Sequence, residues 1–353
     1  MEPRRKGKKK SVLVALSGGV DSAVAAFDLV KAGWHVEACH LDLMSGNPAE
    51  SCLDSCRETA DFLGIRLHVL HETEKFQKNI ISYFIKTYEQ GLTPNPCVIC
   101  NRNIKIALCL EFADQLELEY LATGHYAMTR MVDGGPAGLF RAADSSKDQS
   151  YFLHRIPLEC LPRLVFPLGS QTKEEVKKKA AEAGLAPLVQ RESQELCFLR
   201  GDYRRYLAGL PEFRSKPGEM ITTDGVRAGI HSGLHRYTIG QRRGLGVPDR
   251  TPFYVVAMDI RKNRLIIGKK KDLLKTDLII EDMNWLAPVE QVKSGQYTVK
   301  IRSRHMAVPA SIRILSHAKL RICFDDPQKA VTPGQFAVLY SEDRVIGGGV
   351  ICG

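Results

Sequence analysis

The chain has 353 residues, of which 44% are hydrophobic and 25% are charged, a composition typical of a globular protein with a substantial core. No apolar run reaches the roughly eighteen residues that a transmembrane helix needs, and ten cysteines are too few for a disulfide scaffold, so we expect a cytoplasmic protein with reduced thiols. The net charge of +10 is uneven, because residues 201–353 contain 25 basic and 15 acidic side chains whereas residues 11–200 contain 19 and 24. The basic C-terminal part indicates a polyanionic partner such as nucleic acid.

Predicted strands and helices alternate after a basic, disordered leader over residues 1–10. The apolar run SVLVAL at residues 11–16 predicts a buried parallel strand, and the helix after it is predicted to end at Gly33. The following segments are predicted, in order, as strand, helix, strand, helix, helix and strand: Trp34–Leu43, Ala49–Leu63, Arg66–Leu70, Phe76–Gln90, residues 104–115 and Tyr120–Thr123. This alternation is typical of an α/β fold with a doubly wound parallel sheet.

The second half of the chain has a different pattern. One more helix is predicted over Lys173–Ala183, and from about residue 217 short β-rich runs lie between Gly, Pro and Asp turns. This change falls close to the change in charge. We therefore predict an α/β domain over residues 11–205 and two small, mainly β domains over residues 206–280 and 281–353, the second of them a β-barrel.

The most specific local motif is Leu16-Ser17-Gly18-Gly19-Val20-Asp21-Ser22, between the first strand and the first helix. Paired glycines allow a close approach of the backbone to an anion, and the helix N-terminus offers unpaired N–H groups. Asp21 is a candidate to hold Mg²⁺ beside phosphates, since hard oxygen ligands suit this ion. The motif resembles the SGGxDS loop of the ATP pyrophosphatases, which cleave ATP between its α and β phosphates.

Three cysteines are candidates for chemistry. Cys97 and Cys100 form a CxxC motif in a loop with two prolines, and Cys197 follows about a hundred residues later. Two of these thiols could act as nucleophile and resolving partner, through a persulfide and then a disulfide. Alternatively, all three could ligate an iron–sulfur cluster with one open iron. The other cysteines are expected to be small buried side chains.

These motifs occur together with others in one order along the chain: SGGVDS, TPNPxxxCN, TGHYA, KDQSYFL, SQELCF, GLHRYTIGQRRGLG, YVVxxD and TPGQ…GGGVI. The set resembles the bacterial tRNA-specific 2-thiouridylases from about residue 11 to residue 353. The resemblance implies that residues 206–280 form a small central tRNA-binding domain. The resemblance implies that ATP adenylates the C2 oxygen of the wobble uridine in tRNAs for Lys, Glu and Gln. A sulfur that the enzyme receives from a persulfide or sulfide donor protein then displaces AMP.

The resemblance also implies roles for individual residues. Cys100 matches the catalytic nucleophile and Cys197 the cysteine that carries the persulfide. The residues that match ATP contacts are Ala15, Leu16, Ser17, Gly18, Gly19, Val20, Asp21, Ser22, Leu41 and Gly124. Those that match contacts to the target base or to tRNA are Asn95, Pro96, Cys97, His125, Lys147, Asp148, Gln149, Arg302, Ser303 and Gln335.

One position departs from the pattern of the family. Many members have Asp where this chain has Cys97, and a thiol does not simply replace the acid/base function of a carboxylate. A cysteine there completes a set of three thiols, Cys97, Cys100 and Cys197, so a [4Fe–4S] cluster on these residues and a persulfide route are both open. Two alternatives lie outside the class of tRNA-thiolating enzymes: a different adenylating ligase with the same phosphate loop, and an RNA-binding regulator without catalysis.

Overall fold

The structure is a computed structural model that describes residues 9–44, 47–132, 135–189, 196–199, 201–210, 213 and 215–352, with the side chains of residues 47–50 not described. The leader predicted over residues 1–10 lies outside the described residues except for Lys9 and Lys10, and so do Ser193–Glu195 of the SQELCF motif. In the described part of the chain, no helix combines the length and the apolar character needed to cross a membrane. The chain divides into two compact units: unit 1 contains residues 1–79, 97–194 and 343–345, and unit 2 contains residues 80–96, 195–342 and 346–353.

The described residues form nine α-helices and seventeen strands. The helices are α1 (Val20–Lys31), α2 (Asn47–Leu63), α3 (Thr73–Phe76), α4 (Ser82–Glu89), α5 (Pro96–Cys100), α6 (Ala107–Gln115), α7 (Ser150–Leu153), α8 (Lys173–Glu182) and α9 (Tyr203–Ala208). The first strands are β1 (Ser11–Ala15), β2 (His35–Asp42), β3 (Arg66–His71), β4 (Tyr120–Thr123), β5 (Ala127–Met131), β6 (Ala137–Arg141) and β7 (Leu164–Val165). The later strands are β8 (Gly218–Thr222), β9 (Arg227–His231), β10 (Tyr254–Asp259), β11 (Arg264–Gly268), β12 (Leu274–Trp285), β13 (Gly295–Lys300), β14 (Val308–Ser316), β15 (Lys319–Lys329), β16 (Phe336–Ser341) and β17 (Arg344–Ile351).

Unit 1 is built on a parallel sheet with the strand order β3-β2-β1-β4-β7, which confirms the predicted α/β fold. Residues 12–14 of β1 are fully buried, as an unbroken apolar run in a central parallel strand requires. At the end of β1, Ala15 pairs with Cys39 of β2 on one side and with Thr123 of β4 on the other. The strand order changes direction at this point, so the crevice where α/β proteins bind ligands lies at the carboxyl end of β1.

Helices α1 and α8 pack against each other in unit 1. Val24 and Ala25 of α1 share one apolar cluster with Val176 and Ala180 of α8. A capping box starts α8, because the Thr172 side chain accepts the N–H of Glu175 while the Glu175 carboxylate accepts the N–H of Thr172. This packing brings the first residues of α8 to the first residues of α1.

Unit 2 contains two mainly β regions. In the first, β10, β11, β8 and β9 form a four-stranded sheet in that order. In the second, β12, β15, β14, β13, β16 and β17 follow one another, and β12 pairs back with β17, which closes a barrel. The barrel core includes Ile280, Val299, Ile322 and Leu339, all fully buried. Both regions confirm the prediction of two small β domains after the α/β domain.

Helix α4 also belongs to unit 2, a feature that the sequence did not predict. Phe84 and Tyr88 of α4 pack with Leu207 of α9 and with Phe213 in one buried cluster. The predicted helix Phe76–Gln90 is divided, because α3 and α4 are separated by a π-helical segment over Gln77–Ile81. The segment that follows α4 leads directly to the CxxC motif.

Candidate active site

The phosphate loop, residues 16–22, joins β1 to α1. Gly18 has a φ of +79°, and a Cβ atom there would lie 2.7 Å from the carbonyl oxygen of Cys52, so both conformation and space require glycine. Gly19 has an extended conformation with a φ of −97° and immediately precedes α1. The first N–H groups of an α-helix have no partners inside the helix and favour an anion. The loop therefore has the backbone geometry of a phosphate site.

Ser22 fastens this loop to the first turn of α1. Its Oγ accepts the Ser17 N–H at 3.1 Å and donates to the Gly19 carbonyl oxygen at 2.9 Å. The Ser17 hydroxyl lies 3.1 Å from the same Oγ. Ser22 is buried, whereas Ser17 is exposed. Ser22 thus maintains the shape of the loop, and Ser17 is the hydroxyl that faces solvent.

Two side chains from neighbouring elements support the loop. His40 Nδ1 of β2 lies 3.0 Å from the Leu16 carbonyl oxygen and 3.3 Å from Sγ of Cys56 on α2. The Cys56 sulfur also accepts the N–H of Gly18. Burial lowers the pKa of His40 and raises the pKa of Cys56 to about 12, so the pair is a neutral imidazole and a protonated thiol at neutral pH. Their role here is support of the backbone.

Asp21 has a charged partner that lies far away in the sequence. The Lys173 ammonium lies 2.7 Å from Oδ1 and 2.9 Å from Oδ2 of Asp21, and the Tyr126 hydroxyl donates to Oδ1 at 2.8 Å. The Lys173 side chain is 3% exposed and that of Asp21 is 30% exposed. A buried positive charge therefore lies beside the loop, and a strand–turn–helix motif does not reveal it.

The end of β4 approaches the start of α1 at Gly124. A Cβ atom at Gly124 would lie 2.7 Å from the Ser22 nitrogen and 2.8 Å from the Asp21 carbonyl carbon, so glycine alone allows this approach. The next residue, His125, has its Nδ1 2.7 Å from the Thr123 hydroxyl. Burial, with a smaller contribution from the Lys105 ammonium, lowers the pKa of His125 to about 3. His125 is therefore a neutral imidazole at neutral pH.

The Lys147–Gln149 segment is bonded mainly within unit 1. Asp148 accepts the backbone N–H groups of Ala142 and Ser150 at 3.3 and 3.1 Å and the Ser150 hydroxyl at 3.0 Å. The Gln149 side chain accepts the Tyr126 N–H at 3.0 Å, which ties this segment to the residue after His125. Lys147 is the exposed member of the three.

Cys97 and Cys100 lie on α5, which begins at Pro96, a residue type favoured in the first helical turn. Residues at this spacing share one face of a helix. Cys97 is half-buried and Cys100 is 5% exposed. Asn101 follows and donates from Nδ2 to the Phe152 carbonyl oxygen at 3.1 Å, so the helix end is held against α7.

Cys197 lies in unit 2 and is exposed. Its neighbours hold the segment, because Leu196, Phe198 and Leu199 pack against the cluster around Phe84. The Phe198 ring meets the Phe84 ring edge-on at 5.2 Å. Apolar neighbours thus anchor the segment while its thiol remains open to solvent.

Asn95 and Pro96, also in unit 2, are buried. The N–H of Asn95 donates to the Tyr83 hydroxyl at 3.4 Å. Gln335 donates from Nε2 to the Thr93 and Pro94 carbonyl oxygens at 3.1 and 2.9 Å. Gln335, predicted from the resemblance to contact tRNA, therefore also has partners within the protein.

The remaining predicted residues lie on β domains and strand ends. Arg302, which is exposed, and Ser303, which is half-buried, lie in the turn between β13 and β14 of unit 2. Leu41 is half-buried near the carboxyl end of β2, where it pairs with Leu70 of β3.

The predicted metal ligands are Cys97, Cys100, Cys197 and Asp21. Within the part of the chain that the structure describes, no three His, Cys, Asp or Glu side chains are grouped so that they could hold a metal ion. At Asp21, a directly bound cation would lie close to the Lys173 ammonium.

Sequence reasoning missed Lys173, Tyr126 and His40. It predicted Cys56 as a small buried side chain, which it is, but not its contacts with His40 and Gly18. Lys173 begins a helix rich in lysine, a pattern typical of a solvent-exposed face, and nothing local marks it as buried. Tyr126 follows the TGH motif, and its place next to the candidate residue His125 was a signal that could have identified it. The position of His40 is set by the pairing of β2 with β1, which the sequence does not show.

Known protein families match three successive parts of the chain. Residues 10–201 match the family described as tRNA methyl transferase HUP domain, residues 210–269 the tRNA methyl transferase PRC-barrel domain, and residues 275–351 the aminomethyltransferase beta-barrel domain. A solved structure, the U34-tRNA thiolase NcsA from Methanococcus maripaludis with its [4Fe-4S] cluster, has a TM-score of 0.36 and 18% identity, over 56% of this chain and 64% of that chain.

Two curated relatives are similar over nearly their full length. The tRNA-specific 2-thiouridylase MnmA of Trichlorobacter lovleyi is 42% identical over 346 residues, which cover 96% of this chain and 97% of that protein. The protein of the same name from Syntrophotalea carbinolica is 40% identical over 352 residues, 98% of this chain and 99% of that protein. The chain therefore belongs to the family of tRNA-specific 2-thiouridylases.

Proposed function

We propose that the protein is an ATP-dependent tRNA-uridine 2-sulfurtransferase, which replaces the C2 oxygen of the wobble uridine with sulfur. The observation that carries the proposal is the phosphate loop with its required Gly18, in a chain that also places two cysteines on α5. A phosphate loop alone would serve many ligases, and a CxxC motif alone would serve many redox proteins. Together they supply the two steps of thiolation, activation of an oxygen and delivery of sulfur.

The ATP site is proposed at the carboxyl end of β1. The N–H groups at the start of α1 and the Ser17 hydroxyl bind the phosphates, and the backbone at Leu41 and Gly124 borders the nucleotide. Lys173 neutralises Asp21 and adds positive charge beside the loop. Mg²⁺ would be held by the phosphates of ATP beside Asp21, where it would offset charge on the leaving pyrophosphate.

The target base is proposed to lie near His125, Asn95 and Cys97, after it leaves the anticodon stack. Because His125 is neutral, it offers one N–H donor and one lone pair without a competing positive charge. The uracil C2 oxygen attacks the α-phosphorus of ATP and pyrophosphate leaves. This converts a poor leaving oxygen into AMP, a good one.

Sulfur delivery is proposed to use the two cysteine roles that the resemblance implies, for Cys100 and for Cys197. A persulfide on the exposed Cys197 attacks C2 through its terminal sulfur, and AMP departs with the C–O bond electrons. The Cys100 thiolate then attacks the Cys197 sulfur, so the S–S bond to the base breaks and 2-thiouridine leaves. The product is a Cys100–Cys197 disulfide, and a thiol reductant must return it to two thiols before the next turnover.

An iron–sulfur cluster is the alternative sulfur carrier, and a measurement of iron content distinguishes it from the persulfide route. Protein prepared without oxygen is expected to contain substoichiometric iron and to lack broad visible absorption. One cluster per chain, lost in Cys97→Ser, would replace the persulfide route.

The RNA face is proposed on the basic part of the chain. Residues 201–353 contain ten more basic than acidic side chains, and Arg302 of the barrel is exposed. Lys147 is a further exposed candidate for a phosphate contact. Binding of tRNA for Lys, Glu and Gln should therefore weaken steeply with salt, since it releases counterions.

The test is thiolation of these tRNAs by the purified protein with ATP, Mg²⁺ and a persulfide donor. Nucleoside mass spectrometry is expected to find 2-thiouridine at the wobble position, and Cys100→Ser and Cys197→Ser should lose at least about 10²-fold of the rate. Two half-buried cysteines outside the site provide matched controls: Cys160→Ser in unit 1 and Cys323→Ser in unit 2. Pyrophosphate release that needs no tRNA and survives Cys100→Ser would instead identify another ligase.

A further inference from the structure

A turn of the C-terminal barrel is hydrogen-bonded to the segment that precedes the CxxC motif. The turn is Thr332–Gln335, between β15 and β16, and the segment is Thr93–Pro96; we call their contact the loop clamp. The Thr93 N–H donates to the Pro333 carbonyl oxygen at 3.0 Å. In the other direction, Nε2 of the Gln335 amide donates to the Thr93 and Pro94 carbonyl oxygens at 3.1 and 2.9 Å.

The segment needs such external partners because of its composition. Pro94 and Pro96 have no N–H, and each disfavours helical geometry in the residue before it. The segment therefore cannot build its own ladder of backbone hydrogen bonds. Pro94 and Asn95 are buried, so carbonyl groups here would be costly without donors. Gln335 supplies two donors from one side chain.

The turn is itself fixed to the barrel. The Gly334 N–H donates to the Ile351 carbonyl oxygen at 3.0 Å, and the Ile351 N–H donates to the Gln335 carbonyl oxygen at 2.8 Å. Gly334 has a φ of +87°, and a Cβ atom there would lie 2.8 Å from Leu92 Cβ and 2.9 Å from the Thr93 nitrogen. The two backbones thus approach so closely that only glycine fits between them.

The other end of the same segment contacts the four-stranded sheet of unit 2. Gly91 has a φ of +64°, and a Cβ atom there would overlap the Ile260 side chain in the turn after β10. The stretch from residue 91 to residue 96 is therefore held by both β regions of unit 2. Cys97 follows Pro96 directly in the chain, so a displacement of this stretch displaces the start of α5.

We propose that Gln335 is a positioning residue for the thiolation reaction: through the loop clamp, the barrel sets the backbone from which Cys97 and Cys100 follow. This role rests on the proposed function and is distinct from a direct contact of Gln335 with tRNA. A pure RNA contact would change affinity for tRNA, whereas a positioning residue changes the order of the 92–100 backbone before any RNA binds.

The test compares Gln335→Glu with the wild-type protein in two measurements. Glu has the shape of Gln but at neutral pH has no N–H to donate, so both carbonyl oxygens lose their donor. The first measurement is hydrogen–deuterium exchange of a peptide covering residues 92–100, without ATP or tRNA. The second is thiolation at saturating tRNA. Gln296→Glu, an exposed change of the same type on β13 of the same barrel, is the control.

Gln335→Glu is expected to speed exchange in the 92–100 peptide and to lower kcat about 10- to 100-fold, with the Kd for tRNA within about twofold of wild type. Gln296→Glu should match wild type in both measurements. Unchanged exchange together with unchanged kcat and a raised Kd would overturn the proposal in favour of an RNA contact. The exchange measurement needs no activity, so it still decides the clamp if the wild-type protein proves not to thiolate tRNA. If Gln335→Glu does not fold, Gln335→Ala gives the same comparison.

Discussion

Removing the charge of Asp21 should lower the folding stability of unit 1 more than removing the charge of its partner Lys173. The Lys173 side chain is 3% exposed, whereas Asp21 is 30% exposed and retains the Tyr126 hydroxyl as a donor. Asp21→Asn leaves a buried ammonium without a counter-charge and should cost about 3–5 kcal/mol. Lys173→Met leaves a carboxylate that water can reach, so we expect about 1–3 kcal/mol.

The double variant tests the coupling directly. With both charges removed, the remaining cost should be about 2 kcal/mol or more below the sum of the two single costs, because neither charge is left unpaired. Urea unfolding at pH 7, followed by the fluorescence of Trp34 in a Trp285→Phe background, reports on unit 1. Additivity within about 0.5 kcal/mol, or a larger cost for Lys173→Met than for Asp21→Asn, would refute the buried ion pair.

Three further predictions concern the same site. Gly18→Ala should destabilise the protein by about 1–3 kcal/mol in urea unfolding and abolish ATP binding measured by calorimetry, because Gly18 has a φ of +79° and contacts the Cys52 carbonyl. Gly19 has an ordinary φ of −97°, so Gly19→Ala should cost less stability, and equal costs for the two variants would contradict the loop geometry. Burial holds the pKa of His125 at about 3, below its ordinary 6.5, so between these values the folded protein binds fewer protons than the unfolded chain and stability falls as the pH is lowered. The free energy of unfolding of His125→Gln should depend less steeply on pH between 6.5 and 3, and an unchanged slope would contradict the lowered pKa of this imidazole. Increased salt should weaken tRNA binding, and Arg302→Ala should reduce the slope of log Kd against log salt concentration by about one unit. An unchanged slope would show that Arg302 does not contact the RNA.

The phosphate loop was predictable from sequence because its constraints are local. A buried apolar run, two glycines and an amphipathic helix determine a strand–turn–helix unit, and the structure places Gly18 where only glycine fits. The β domains were predictable for a similar reason, since short β-rich runs between turns specify strands. The residue limits 205 and 280 for these domains, and the roles of the individual site residues, stay predictions.

The partners across long separations were not predictable. Lys173 is 152 residues from Asp21, and a lysine at the start of a charged helix normally faces water. The loop clamp joins residues 242 apart, and nothing in a TPGQ turn indicates that its glutamine amide will bond to the Thr93 carbonyl. The assignment of residues 80–96 to unit 2 also depends on tertiary packing of α4, which a helix pattern does not report.

Isotope transfer from the substrate tests the central claim most directly. A tRNA with ¹⁸O at C2 of the wobble uridine is incubated with the protein, ATP and a persulfide donor, and the AMP is analysed by mass spectrometry. If the uracil oxygen attacks the α-phosphorus, each 2-thiouridine formed should yield one AMP that carries one ¹⁸O atom. Formation of 2-thiouridine with unlabelled AMP would contradict adenylation of the base.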